Sequence, residues 1–250
     1  MRAAIHTLLA ELHFAGMRET LDTVLDAAEQ AGDPPAAVLL RLLREEHRHR
    51  QERSLAYRLH QAHLPWEWSL DTFPFDRQPT VDASHIRALA GLGFINRAEN
   101  LVLIGPPGTG KTGLAIGLLR QDLVNGYRGR CDNAQDLIDA LYASLADHST
   151  TRLLKRLAAY DVLLVDELGY MNLQPEHANA LFQLLEQRYA RKSTLITTNL
   201  DFDQWYDLFR NKPLVDALLD RLQHHCITLR LTGPSLRAPV APADAPAAPR

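Results

Sequence analysis

Residues Gly105 to Thr112 spell GPPGTGKT and follow directly on the apolar run Leu101-Val102-Leu103-Ile104. No other stretch constrains the fold as strongly. G-x-x-x-x-G-K-T works as a tight loop between a buried strand and a helix N-terminus, and the sequence offers an apolar run before it and a helical pattern after it. In such a loop the backbone N–H groups point inward and the following helix adds its positive end, so a polyphosphate is gripped largely by main chain. Gly105, Gly108 and Gly110 let the chain bend around a phosphate without a Cβ clash, and Pro106, Pro107 and Thr109 complete the loop. Lys111 is expected to reach the β- and γ-phosphates, and the Thr112 hydroxyl to hold Mg²⁺, an ion that needs few protein ligands. The chain is therefore expected to bind ATP or GTP; a chance glycine-rich turn fits the flanking strand and helix poorly.

A second signal lies about 55 residues further on, within the size of one α/β nucleotide domain. Val162-Leu163-Leu164-Val165-Asp166-Glu167 is an apolar strand ending in two acids. Asp166 stands where a carboxylate orients a Mg²⁺ shell. Glu167 points differently, toward a water attacking the γ-phosphate, and a base there implies hydrolysis rather than transfer to a small acceptor. The competing reading of the acidic pair is a plain helix cap. Leu195-Ile196-Thr197-Thr198-Asn199 is another buried strand with a polar end. If it neighbours the 162–166 strand, Asn199 lies between nucleotide and Glu167 and can orient the water; an Asn in a strand-end turn is the ordinary alternative.

The pattern along the chain divides it. Residues 1–63 read as wholly helical: Ile5, Leu8, Leu9 and Leu12 share one face, Gly16 breaks it, and Met17, Leu21, Val24, Leu25 and Ala28 start another. Gly32-Asp33-Pro34-Pro35 stops one helix and restarts the next, with Asp33 as cap and Pro34 in the first turn. Residues 64–80 carry Pro65, Pro74 and Pro79 with Trp66, Trp68, Phe73 and Phe75, the makings of a packed strap. Residues 81–237 alternate strands near 101–104, 127–132, 162–166, 194–198 and 226–231 with helices near 111–125, 134–146, 150–159, 175–191 and 214–223. Such alternation predicts a mainly parallel sheet with helices on both faces, a three-layer α/β/α domain. Residues 238–250 are Ala/Pro-rich and expected to be disordered.

Composition adds exclusions. A net charge of −3 and a pI near 6.4 do not announce a nucleic-acid binder, although a bland average can hide a local basic patch. Cys131 and Cys226 make no disulfide framework and no metal spacing, which fits two buried thiols in a reducing cytoplasm. The apolar runs are far shorter than the roughly 20 residues of a membrane span, and no secretory signal opens the chain.

Together these motifs resemble the AAA+ ATPases of the helicase-loader branch: GPPGTGKT, DVLLVDELGY, TTN, then Leu218-Leu219-Asp220-Arg221-Leu222. The similarity is closer to the IstB-like ATP-binding proteins, helper ATPases of insertion-sequence transposition. It rests on Asn96 to Leu101, Asp166 to Tyr170, Arg188-Tyr189 with Ser193-Thr194, Thr197 to Leu200, and Leu219 to Leu222 with His224-His225. It spans about residue 8 to Arg237. The resemblance implies an AAA+ P-loop NTPase domain over 81–237, preceded by a small all-helical domain over 1–63 and the 64–80 linker, without the helical lid that many AAA+ proteins carry. It also implies that Arg221 is an arginine finger reaching the γ-phosphate of a neighbouring subunit, hence a ring or helical homo-oligomer; a solvated arginine paired with Asp216 or Asp220 is the alternative. Phe94 and Ile95, just before the first strand, are candidates to flank the adenine, against ordinary core packing. Cys131-Asp132-Asn133 and Gly233-Pro234-Ser235-Leu236-Arg237 depart from the family pattern, the latter from Gly-x-Ser-Tyr-Arg, and are expected to lie away from the phosphate chemistry.

The third helix carries Arg41, Arg44, Arg48, Arg50, Arg53 and Arg58 against Glu45, Glu46 and Glu52. Composition favours a solvated face laced with i,i+4 pairs such as Glu46–Arg50. The resemblance reverses that order, since transposition helpers bind duplex DNA, and makes Arg44, Arg48, Arg50 and Arg53 backbone-contact candidates. Arg152, Lys155 and Arg156 form a second candidate group. The expected function is an ATP-dependent helper that oligomerises on duplex DNA and recruits or activates a transposase, with hydrolysis resetting the complex. The alternatives are a DnaC-like helicase loader, a P-loop metabolite kinase and an ATP-gated scaffold with negligible turnover.

Overall fold

The computed structural model describes residues 1–169, 175–209 and 211–237, apart from the side chains of 175–177; Tyr170 and the 238–250 stretch lie outside the described residues. The chain divides into two compact units, residues 1–60 and 61–250.

The first unit holds helices α1 (Arg2–Glu11), α2 (Ala15–Ala31) and α3 (Pro35–Gln61). Its core is small: Leu9, Met17, Leu21 and Leu42, with Ile5, Phe14, Val24, Leu25 and Val38 packed around them. Half of the apolar face read on α1 is unused, for Leu8 and Leu12 are exposed. Gly32 ends α2 in the left-handed conformation, at φ 66°. The next helix begins one residue later than expected. The Pro34 carbonyl accepts its first N–H groups, while Asp33 ion-pairs with Arg41 at 2.7 Å. Gly16 does not break a face; it lies in the first turn of α2, where a Cβ would stand 2.7 Å from His49 Cβ and 2.8 Å from the Glu45 carbonyl. The missing side chain lets α2 and α3 touch. At that crossing the buried Glu46 accepts the Met17 N–H at 3.2 Å and Arg50 Nε at 2.6 Å. Burial pushes its pKa up, but these donors outweigh it and hold the carboxyl below its ordinary range.

The second unit is built on β1 (Asn100–Ile104), β2 (Gly129–Asn133), β3 (Val162–Leu168), β4 (Ser193–Thr198) and β5 (Cys226–Arg230), all parallel in the order β2-β3-β4-β1-β5. Alternate residues feed two cores. Leu101 and Leu103 of β1 and Val162 and Leu164 of β3 join the cluster beneath α4 (Ala83–Ala90), α5 (Gly93–Asn96) and α6 (Lys111–Val124). Val102, Ile104, Leu163 and Val165 join the cluster beneath α7 (Ala134–Ala146), α8 (Thr150–Ala158), α9 (Pro175–Arg188), α10 (Trp205–Phe209) and α11 (Lys212–His224). Both faces are thus covered, as continuous apolar strands require. Buried Arg188 closes the far end of the sheet, donating to the carbonyls of Leu157, Tyr160 and Ser193 and to Thr194 Oγ1. Cys131 is buried, its thiol pushed up to about 12 by desolvation; half-buried Cys226 is pushed up to about 11.

The proline-rich strap packs as its aromatics suggest. Phe73 is buried edge-to-face on Phe75, with ring centroids 4.8 Å apart. Glycines on one face of α6 make room for it: a Cβ on Gly113 would lie 2.1 Å from the Trp68 indole, and one on Gly117 2.8 Å from Leu70. Among the described residues no helix is long and apolar enough to cross a membrane.

Candidate functional site

The loop at Gly105–Thr112 joins β1 to α6, and its shape follows from its glycines. Gly108 and Gly110 adopt φ of 82° and 94°, where an L side chain is strained. The Gly105 N–H is anchored to the Thr198 carbonyl at 3.1 Å. Lys111 folds back over the loop, its Nζ donating to the carbonyls of Gly105 at 2.7 Å and Pro106 at 2.9 Å. Burial lowers its pKa, against the pull of Asp166 and Glu167; Arg237 lowers it further.

Asp166 and Glu167 form a β-bulge. Val165 pairs with Ile196 and Leu168 with Thr198, so two residues of β3 oppose the single residue Thr197. Asp166 turns inward and accepts from Thr112 Oγ1 at 2.9 Å and from Thr197 Oγ1. Desolvation raises its pKa, the two hydroxyls resist, and the neighbouring Glu167 adds to the rise. Glu167 takes φ 62° and is exposed, its N–H donating to Thr197 Oγ1 at 2.9 Å. Asn133, at the end of β2, donates to Glu167 Oε2 at 3.1 Å. Asn199 Oδ1 is buried without a hydrogen-bond partner. Gly169, at φ 132°, leaves it space, for a Cβ there would lie 2.6 Å away.

These groups meet in one cleft of about 690 Å³, lined among others by Lys111, Thr112, Glu167, Thr197 and Asn199. The glycine cradle and buried lysine suit a polyphosphate. The Thr112–Asp166 pair, a hydroxyl beside a desolvated carboxylate in need of positive charge, suits Mg²⁺.

Three expectations need correction. Phe94 has no exposed surface and belongs to the core beneath the sheet, with Ile95 packed against the same cluster. Neither lines the cleft, and a ring with no open face cannot take a base. The Cys131–Asn133 and Gly233–Arg237 segments do reach the phosphate site, the first through Asn133. In the second, the Leu236 N–H donates to the Gly108 carbonyl at 2.8 Å, and Leu236 and Arg237 line the cleft. Arg221 pairs with neither Asp216 nor Asp220. It bonds Glu186 at 3.2 Å and lies 5.0 Å over the Phe182 ring, outside the lining of its own chain's cleft. Thr197 stood in the TTN stretch without a role of its own, and Asn133 and Arg237 carried no signal beyond ordinary polar residues at a strand end and in a loop. A bulge at the acidic pair could have been suspected for Thr197 alone.

Of the six arginines on α3, three are held in ion pairs, Arg41 with Asp33 among them. Arg48 pairs with Glu45 at 2.6 Å and Glu52 at 2.8 Å, and Arg50 with Glu46, leaving Arg44 and Arg53 without an ion pair among the described residues. On α8, Arg152, Lys155 and Arg156 are all exposed and make none.

A five-stranded parallel sheet in this order, with its phosphate loop after β1 and acidic pair ending β3, defines a P-loop NTPase of the AAA+ type. The sequence model of the IstB-like ATP-binding proteins matches residues 7–240, and the chain belongs to that family. It is 35% identical over 237 residues to the insertion sequence IS5376 ATP-binding protein of Geobacillus stearothermophilus, covering 95% of this chain and 94% of that protein. It is 36% identical over 233 residues to the IS21 ATP-binding protein of Pseudomonas aeruginosa, covering 93% and 88%. Among solved structures, the DnaC helicase loader superposes with a TM-score of 0.58 at 26% identity, over 66% of this chain and 97% of that one. DnaI superposes at 0.56 and 19% identity, over 66% and 92%, which supports the fold.

Proposed function

We propose that this protein is a Mg²⁺-dependent ATPase that assembles on duplex DNA as a helper of transposition. The observation that carries the reading is the convergence of Lys111, Thr112, Glu167 and Asn199 on one cleft, with Asp166 behind Thr112. In this reading the loop N–H groups and Lys111 hold the triphosphate. Thr112 and Asp166 hold Mg²⁺, which when bound neutralises phosphate charge. Glu167 Oε accepts a proton from the attacking water, and Asn199, which lines the cleft, orients that water through its side-chain amide. Asn133 keeps Glu167 in place through its hydrogen bond. Arg221, outside its own cleft, completes the site of a neighbouring subunit, so turnover depends on a ring or helical assembly.

The relatives named for insertion sequences match nearly the whole chain, which favours a helper that recruits or activates a transposase. Arg152, Lys155 and Arg156 contact the DNA backbone without reading bases, so affinity falls steeply with salt. The likeness to the DnaC loader favours a second reading, a helicase loader. Steady-state ATPase assays with duplex and single-stranded DNA separate the two. Duplex-stimulated turnover, abolished in Lys111→Ala and reduced at least about 100-fold in Glu167→Gln, supports the helper. Stimulation by single strands alone supports the loader, and Mg²⁺-independent or absent turnover overturns the ATPase reading.

A further inference from the structure

The cleft beside the phosphate loop has two unlike walls. One is polar: Lys111, Thr112, Glu167, Thr197, Thr198 and Asn199. The other is aromatic: Trp66 and Trp68 line it, and Trp66 remains 55% and Trp68 37% exposed. Indole rings carry a large apolar area that ordinarily ends up covered. Two lie open on one side of a phosphate cradle.

The rings are fixed relative to the cradle. Trp68 fits over Gly113, the residue after Thr112, so closely that a Cβ there would lie 2.1 Å from the indole. One turn on, Leu70 sits against Gly117, and Phe73 against Gly110. The strap is thus seated on α6 by Gly113 and Gly117 and on the loop by Gly110, which position its tryptophans beside the loop. Once Phe94 and Ile95 are assigned to the core, these indoles are the aromatic groups on the cleft's lining among the described residues.

We propose that Trp66 and Trp68 form the platform on which the base of the bound nucleotide stacks. The proposal rests on the nucleotide reading of the cleft and adds the part of the ligand that the phosphate motifs do not address. An aromatic platform recognises the face of a base, and alanine substitution of such platforms weakens binding roughly five- to 150-fold per base.

The test compares MgATP with Mg-tripolyphosphate, which keeps the phosphates and lacks the base. Both are titrated calorimetrically into the full chain, into Trp66→Ala, Trp68→Ala and Trp68→Phe, and into Lys111→Ala as the phosphate control. In at least one alanine variant ATP binding weakens roughly five- to 150-fold while tripolyphosphate binding stays within about twofold, and Trp68→Phe retains most of the affinity. Lys111→Ala loses both ligands. In the unmodified chain ATP, and not tripolyphosphate, changes the indole fluorescence; Trp205, the third tryptophan, is fully buried and contributes a constant background. Unchanged ATP affinity in both alanine variants overturns the platform and leaves the phosphate site standing. A parallel loss of ATP and tripolyphosphate also overturns it, by showing that the indoles merely support the loop. An unmodified chain that binds neither ligand overturns the nucleotide reading itself. Because Trp66 is more than half exposed, its alanine variant keeps the test valid should Trp68→Ala fail to fold.

Discussion

Helices α3 and α8 are both rich in basic residues, and the structure treats them differently. On α3 half of the arginines close on an acid, Arg41 on Asp33, Arg48 on Glu45 and Glu52, and Arg50 on Glu46; Arg58 meets the Ser54 hydroxyl, and Arg44 and Arg53 make no ion pair among the described residues. Helix α8 itself carries no acid, and Asp147, three residues before it, attracts Arg152 without an ion pair among the described residues. Leu154 and Leu157 are buried, and Arg152, Lys155 and Arg156 are displaced to solvent with no ion pair among the described residues. A surplus of positive charge counted along a sequence is therefore a poor guide to a polyanion surface. A guanidinium already in a pair must leave its carboxylate to meet a phosphate, and the exposed pair it leaves is worth about 0–1 kcal/mol. Unpaired cations meet phosphate with counterion release as the driving term. The smaller cluster on α8 is the stronger candidate for DNA.

Charge reversal sharpens this contrast most. Replacing Arg152, Lys155 and Arg156 with Glu lowers duplex affinity by roughly two to three orders of magnitude, and neutralising them lowers the salt slope by about 2.7, near 0.9 per contact. The matched change on α3, Arg44, Arg48, Arg50 and Arg53 to Ala, costs less than about tenfold. Fluorescence anisotropy across a salt series decides between them, and a larger loss from α3 inverts the argument.

The same distinction between paired and unpaired charge applies to buried acids. Asp122 on α6 is fully buried, neither carboxyl oxygen has a partner, and desolvation pushes its pKa up to about 8 from 3.8. The folded chain then holds a proton that the unfolded chain has released. Stability from this group is intact below about pH 4 and drains away as pH rises toward 8, at roughly 1.4 kcal/mol per pH unit. Asp122→Asn removes that slope, so denaturant midpoints of variant and parent diverge between pH 5.5 and 7.5. Parallel curves contradict the assignment.

Glu46 is the paired counterpart. Its depressed pKa gives stability present at neutral pH and lost as pH falls through the folded value, below the ordinary 4.5. Glu46→Ala leaves the Met17 N–H unsatisfied and costs about 1–3 kcal/mol of unfolding free energy. Gly16→Ala, which forces a Cβ onto His49 and the Glu45 carbonyl, costs a similar or smaller amount. Thermal melts read both, and an unshifted melt for Glu46→Ala removes it as the link between α2 and α3.

The phosphate loop and the strand–helix alternation were legible in the sequence because their causes are local. Glycines at positive φ, a Lys-Thr pair and unbroken apolar runs each act within a few residues. What stayed hidden depends on distant parts of the chain. Gly16, Gly113 and Gly117 are glycines because another element lies against them, and no pattern around them names that element. Asn133 reaches Glu167 because β2 and β3 pair in register, Asn133 opposite Asp166. Leu236 and Arg237 reach the cleft because β5 lies beside β1 and delivers the following loop to Gly108. Phe94 was misplaced for the same reason. An apolar residue before the first strand reads equally well as a wall of the site or as core, and sheet packing made it core.

Arg221 sits on α11, bonded to Glu186 and outside its own cleft. If one subunit's cleft is completed by its neighbour's arginine, Arg221→Ala and Glu167→Gln subunits are each inactive alone for complementary reasons. Mixing them creates interfaces with an intact Glu167 on one side and an intact Arg221 on the other. The decisive measurement is MgATP turnover across mixing ratios of these two variants on duplex DNA. A site shared between subunits predicts activity that rises from near zero to a maximum at intermediate ratios. A flat line near zero at every ratio, beside an active parent protein, contradicts it.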